Sequence, residues 1–178
     1  MLPDTIKPIN FGTFEIEDWE EYRQRLSIPE EGAEKEFYRQ VVYDHFDYFN
    51  ERFPYFDIEQ HSLSFIELNI SEINQQIKSF RNSNEELKQW GLQYDDFEKR
   101  NWQHSMIFTY MSKNHKPPFP PVIMDTKNID DNCWREYGRP YHLVEGTHRV
   151  SYLFRMAERG IISSNCLFKF VLVSAIKQ

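Results

Sequence analysis

Residues 145–149 read Glu-Gly-Thr-His-Arg, between the strand-like run "YHLV" and the helix-like run "SYLFRMAERG". An acid, a glycine, a hydroxyl, an imidazole and a guanidinium in consecutive positions can hold an anion. A chain that leaves a strand through a glycine and opens a helix presents free backbone N–H groups at the helix start. Those donors and the helix dipole favour negative charge. Gly146 has no side chain to block a close approach. His148 and Arg149 fall in the first turn, where cations oppose the dipole, so a negative group beside them would relieve the conflict. Phosphate suits that demand, and the planar fork of Arg149 matches its oxygens. Glu145 could deprotonate a hydroxyl or hold a metal-bound water, and His148 is the other side chain suited to acid–base work.

Plainer assignments compete for the same residues. Glu145 could cap the helix, and Arg149 could pair with Glu145 or with Asp125. His142, Glu145 and His148 have the side-chain types of a metal site, but only with a loop shape that the sequence does not reveal. Read from the residues alone, phosphate binding and these plainer roles stay open, with Glu145 and His148 the candidates for catalysis and no residue assigned to a metal.

The surrounding sequence must position this junction. "PVIMD" (121–125) and "YHLVEG" read as strands, separated by the loop "TKNIDDNCWREYGRP". In that loop, Asp130 and Asp131 read as a solvated charge pair rather than a cation site. The helix after residue 146 carries Val150, Leu153, Phe154 and Ala157 on one face, and Gly160 suits its C-terminal end. "CLFKFVLVSA" closes the chain as a strand. Upstream, "HKPPFPP" (115–121) cannot be helix or central strand and reads as a stiff connector. "SEINQQIKSF" (71–80) reads as a helix capped by Ser71, after a strand over 61–70. Residues 82–114 read as mostly helical with a break near Gly91. Residues 33–52 read as one helix with Tyr38, Val41, Val42, His45 and Phe49 on its apolar face, which makes His45 a core or interface residue, and Pro54 ends it.

The whole-chain numbers narrow the classes. The chain has 178 residues, 40% of them hydrophobic and 28% charged, which fits a globular protein with a real core. The formal net charge is -7. Non-specific nucleic-acid binding draws on clustered Lys and Arg, so nucleic acid is an unexpected partner. No apolar run reaches the length of a membrane span, and a membrane is likewise unexpected. The N-terminal residues show no basic region followed by an apolar one, and Cys133 and Cys166 lack metal-like spacing. Two unlinked thiols and a cytoplasmic location are expected.

The proline-rich entry, "PPVIMD", "YHLVEGTHRVSYLFRMAERG" and the closing "FKFVLV" strand together resemble the ParB/sulfiredoxin superfamily. "SLSFIELNISEINQQI" matches its opening strand and first helix, so the resemblance covers about residues 60–178. It implies a mixed α/β (α+β) domain with a small mixed sheet and packed helices over 59–178, preceded by an added helical extension over 1–58. It also implies that Gly146, Thr147, His148 and Arg149 cradle the phosphates of a nucleotide, ATP or CTP, bound with Mg²⁺. Glu145 fills the acidic position of the motif. Thr147 stands where sulfiredoxin-like proteins carry their reactive cysteine, so sulfinic acid reduction is not expected. No helix-turn-helix region like that of the partition proteins is read in these residues, so chromosome partition is not expected either. Two functions follow: a nucleotide-binding phosphotransferase or hydrolase, or a non-catalytic interaction module such as a regulator or toxin-immunity protein. The aromatic extension would then serve a protein partner or a homo-oligomer.

Overall fold

A computed structural model describes residues 1–80, 83–127 and 136–176. Helix α1 (Trp19–Arg25) starts at Asp18, whose carboxylate accepts a hydrogen bond from the Glu20 N–H. Helix α2 (Ala33–Phe37) runs into a π-helical segment, Tyr38–Tyr43, and then into α3 (Asp44–Arg52). A π turn closes i→i+5, so it shifts the phase of the turns that follow. His45 adds a kink, with φ −137° and ψ 29°. The buried face is consequently Phe37, Val41, Val42, Phe46 and Phe49. His45 is exposed, which corrects the core half of its expected core-or-interface place. The rings of Phe37, Phe49, Phe53 and Phe56 pack at centroid distances of 4.6 to 6.1 Å.

Strand β1 (His61–Asn69) leads into helix α4 (Ile70–Gln76). The cap is Asn69, in a reciprocal box with Glu72, and not Ser71 as the sequence reading has it. That box satisfies two helix-start donors at once, which a lone serine does not. The helix also ends early, because Ile77 and Lys78 form strand β2 beside another strand. Helix α5 (Glu85–Lys99) passes through Gly91 without a break. The interruption lies instead between α5 and α6 (Met106–Asn114).

The proline segment that follows is irregular and ends at strand β3 (Val122–Asp125). Strand β4 (Tyr141–Glu145), helix α7 (Thr147–Glu158) and strand β5 (Leu167–Ala175) complete the chain. Gly160 takes the left-handed conformation just past α7, at φ 69°. The sheet is five-stranded, in the order β1-β5-β3-β4-β2, with β4 parallel to β2 and antiparallel to β3. The expected mixed α/β class is therefore present. Helix α7 is buried on more than one face, since Arg149, Ser151 and Tyr152 are enclosed as well as Val150, Leu153 and Phe154.

The contacts divide the chain into two compact units. One comprises residues 1–65 with the C-terminal residues from Val173, and the other Ile66–Leu172. The second unit holds the whole of the junction at residue 146. Asp130, Asp131 and Cys133 lie outside the described residues, and Cys166 is an exposed free thiol. Among the described residues, no helix is long and apolar enough to cross a membrane.

Candidate functional site

Strand β4 carries a bulge where it meets the site. Asp125, Met124 and Ile123 pair with Tyr141, His142 and Leu143, but Val122 pairs with Glu145. Val144 is thus the extra residue, and a bulge at a strand end re-aims the side chain that follows. Gly146 then turns the chain at φ 108° and ψ 25°. A Cβ there would lie 2.6 Å from Pro121 Cβ and 3.1 Å from its Cα. Only glycine fits, because both the left-handed backbone and the close approach exclude a side chain. No described side chain caps α7, and its first helical bond runs from Val150 N to Gly146 O at 2.9 Å.

Arg149 is 1% exposed. Its Nη2 meets the Glu145 carboxylate in an i,i+4 ion pair. Its Nη1 donates to the carbonyls of Phe119 at 3.1 Å and Pro120 at 3.3 Å. The guanidinium also lies over the Phe119 ring, 4.5 Å from the centroid. Of the two carboxylates that the sequence offers as partners, Glu145 is the one used. Asp125 instead accepts a hydrogen bond from Lys127 N. A long cationic side chain in the first turn points back past the helix start, which is how Arg149 reaches the proline segment. Its charge is offset by Glu145, so it does not confront the dipole unaided.

His148 is half-buried, with its ring 5.0 Å from that of Trp90 and 6.0 Å from that of Tyr152. Burial lowers its pKa, so the ring is neutral at pH 7. The conflict read from sequence, two cations at one helix start, is therefore relieved within the chain itself. Thr147 is partly exposed beside it.

His142 stands apart from this group. It is fully buried, with rings of Phe80 and Tyr137 at 4.5 and 4.9 Å. Its Nδ1 accepts a hydrogen bond from Gly138 N at 3.0 Å, and burial pushes its pKa down to about 3. That acceptor role places the proton of the neutral ring on Nε2. Among the described residues, no group of three His, Cys, Asp or Glu side chains comes together in a way that could hold a metal ion.

The junction thus gathers Glu145, Gly146, Thr147, His148 and Arg149 at one place, with Trp90 and the Phe119–Pro121 segment as neighbours the sequence reading did not assign to it. Pro121 also receives the Val171 N–H of β5 at 2.9 Å, which ties the segment to the sheet. The only local signal for this wall was the density of prolines, which read as a connector. No family model matches the chain, and neither a curated protein nor a solved structure matches it.

Proposed function

We propose that the turn from β4 into α7 binds a phosphate group, and that the ligand is a nucleotide of the ATP or CTP class carrying Mg²⁺. The observation that carries this reading is the geometry of Gly146: a left-handed residue that opens a twelve-residue helix with no described side-chain cap. Backbone donors of the first turn are oriented as an anion site requires, and the dipole adds to them. Thr147 and His148 supply a hydroxyl and a neutral imidazole at the same edge. Arg149 acts from behind, by fixing the proline segment and Glu145, rather than as an open fork for phosphate oxygens. Of the two catalytic candidates, His148 is the better base for any phosphoryl transfer or hydrolysis, because the Glu145 carboxylate is already engaged by Arg149. The ParB/sulfiredoxin-like relationship is part of the same proposal and supplies the nucleotide class.

The test is calorimetry and thermal shift with ATP, CTP, GTP and UTP in the presence of Mg²⁺, on the wild type and on Thr147→Ala and His148→Ala. A ligand that binds the folded state raises the midpoint by mass action. Losing a hydrogen bond to a charged group should weaken binding about ten- to a hundred-fold in each variant while the unliganded midpoint stays nearly unchanged. A wild type that no nucleotide shifts would remove the proposal.

A non-catalytic interaction module is the second reading, and one observation favours it. Trp90, Leu92, Trp102 and Met106 are large apolar side chains left exposed on α5, α6 and their connection. Exposed aromatic and Met side chains are the usual anchors of a protein interface. The nucleotide titration separates the two, since this reading expects no response to any of the four.

A further inference from the structure

Residues 8–17 form a loop of fixed shape with an apolar tip. Its ends are closed by the Glu17 N–H, which donates to Ile9 O at 2.9 Å, and by the Ile9 N–H, which donates to the Glu17 carboxylate at 3.1 Å. Arg25 holds that carboxylate in turn, through Nε and Nη2, each at 2.7 Å. Within the loop, Asn10 Nδ2 donates to Glu15 O. Thr13 Oγ1 donates to Asn10 O and accepts from Glu15 N. Asn10 and Gly12 make the left-handed turns, at φ 56° and 81°. Phe11 packs inward, its ring 6.2 Å from that of Phe46. Phe14 does the opposite and is fully exposed, at 109%. A braced loop that holds a phenyl ring in water has the form of an interface anchor, because its ordering cost is already met.

The second unit contains a receptor of the right kind. Pro118, Phe119 and Leu167 line an open pocket of about 360 Å³, a volume that accommodates more than one benzyl side chain needs. Leu167 is itself 60% exposed, so an entering ring would cover it with gain. Arg149 holds the carbonyls of Phe119 and Pro120, which keeps that wall in place. Lys116, Lys169 and Glu67 bring charge of both signs to the lining, and Lys169 is already engaged within the chain. Size and apolarity therefore define the pocket, not a net sign.

Charge decides the pairing at the level of the units. Residues 1–65 hold fifteen Asp and Glu against six Lys and Arg, whereas residues 66–172 hold thirteen against fourteen. Two acidic units brought loop to loop repel each other. An acidic unit brought to the nearly neutral unit of another copy meets no such opposition.

We infer that Phe14 of one copy enters the Phe119–Leu167 pocket of a second copy, so that the chain associates with itself through two different surfaces. Such a contact closes reciprocally as a pair or continues from copy to copy. It does not depend on the phosphate turn.

Analytical ultracentrifugation of the full chain from about 10 µM to about 1 mM spans the weak affinities expected of a small contact. The weight-average mass of the wild type should rise with concentration. Phe14→Ala and Leu167→Glu, both at exposed positions and both checked for an unchanged melting midpoint, should each weaken association at least about tenfold. Leu167→Ser serves in place of Leu167→Glu if the new charge lowers the midpoint. An equimolar mixture of the loop variant and the pocket variant restores one intact pairing, Phe14 of the pocket variant with the pocket of the loop variant. That mixture should reach twice the monomer mass and go no further. A wild type that stays monomeric at about 1 mM overturns the inference. So does association that Phe14→Ala leaves unchanged, or a mixture that associates no better than its two components alone.

Discussion

Arg149 carries the largest consequence at the scale of single residues. It is a buried cation paired with Glu145, two carbonyls and a ring, and removing one partner of such a pair leaves an uncompensated charge. Arg149→Ala should therefore lower unfolding stability by about 3–5 kcal/mol, read from urea midpoints. The double variant Arg149→Met with Glu145→Gln removes both charges and should lose much less, so the two positions should be strongly non-additive. Full additivity would show that the pair does not act as a unit. His142 yields the pH dependence. Its folded pKa, about 3, lies below the ordinary value of 6.5. The unfolded chain thus binds the extra proton between those values, and stability falls as pH drops through that window. The slope from this residue is about 1.4 kcal/mol per pH unit. His148 acts in the same direction, since burial lowers its pKa too. His142→Asn keeps an acceptor for Gly138 N and cannot titrate. Denaturant midpoints measured from pH 7 to 4 should fall more steeply for wild type than for this variant, and parallel curves would show that His142 is not held neutral.

At the scale of elements, two glycines make opposite predictions. Gly146 combines a left-handed φ with a Cβ position only 2.6 Å from Pro121. Gly146→Ala should cost more than about 2 kcal/mol, through strain and displacement of the proline segment together. Gly91 lies mid-helix, where alanine gains about 1 kcal/mol of propensity. Its added Cβ would meet the Ser151 carbonyl of α7 at 3.0 Å, so the two effects nearly cancel. Gly91→Leu has no such balance and should separate α5 from α7, which chemical denaturation would record as a clear loss. The same glycine shows what local pattern can and cannot convey. Strands β3, β4 and β5 and helix α7 were legible, because apolar runs and a Gly-ended strand are local signals. Gly91 read as a break because its reason, a crossing with Ser151 sixty residues away, leaves no local trace. The π segment at Tyr38–Tyr43 was hidden for a related cause: one extra residue in a turn changes no residue type, yet it moved His45 outward and Phe46 inward. At the candidate site, the turn and its residues were legible. The burial of Arg149 was not, because its partners Phe119 and Pro120 lie thirty positions upstream.

At the scale of the whole molecule, the first unit is assembled from both ends of the sequence. Ile176 N donates to Gln60 O at 2.8 Å, and Ser62 Oγ to Ser174 O at 3.3 Å. Val173, fully buried, belongs to this unit as well. Beside the buried aliphatic residues Leu2, Ile28, Val41 and Val42, its interior is rich in aromatic rings: Trp19, Tyr22 and Tyr43 form one group, and Phe37, Phe49, Phe53 and Phe56 another. A unit built this way cannot be divided at a linker, because a cut leaves strand ends without the helices that complete their core. Deleting residues 1–58 removes both ring groups and leaves the 61–65 and 173–176 segments behind. Apolar surface uncovered in this manner drives self-association. The shortened chain should therefore form oligomers or aggregates in light scattering, and its urea transition should be broader and of lower midpoint than that of the full chain. If residues 59–178 instead remain monomeric with an unchanged midpoint, the two chain ends do not depend on the helices that precede them, and the extension is an independent appendage.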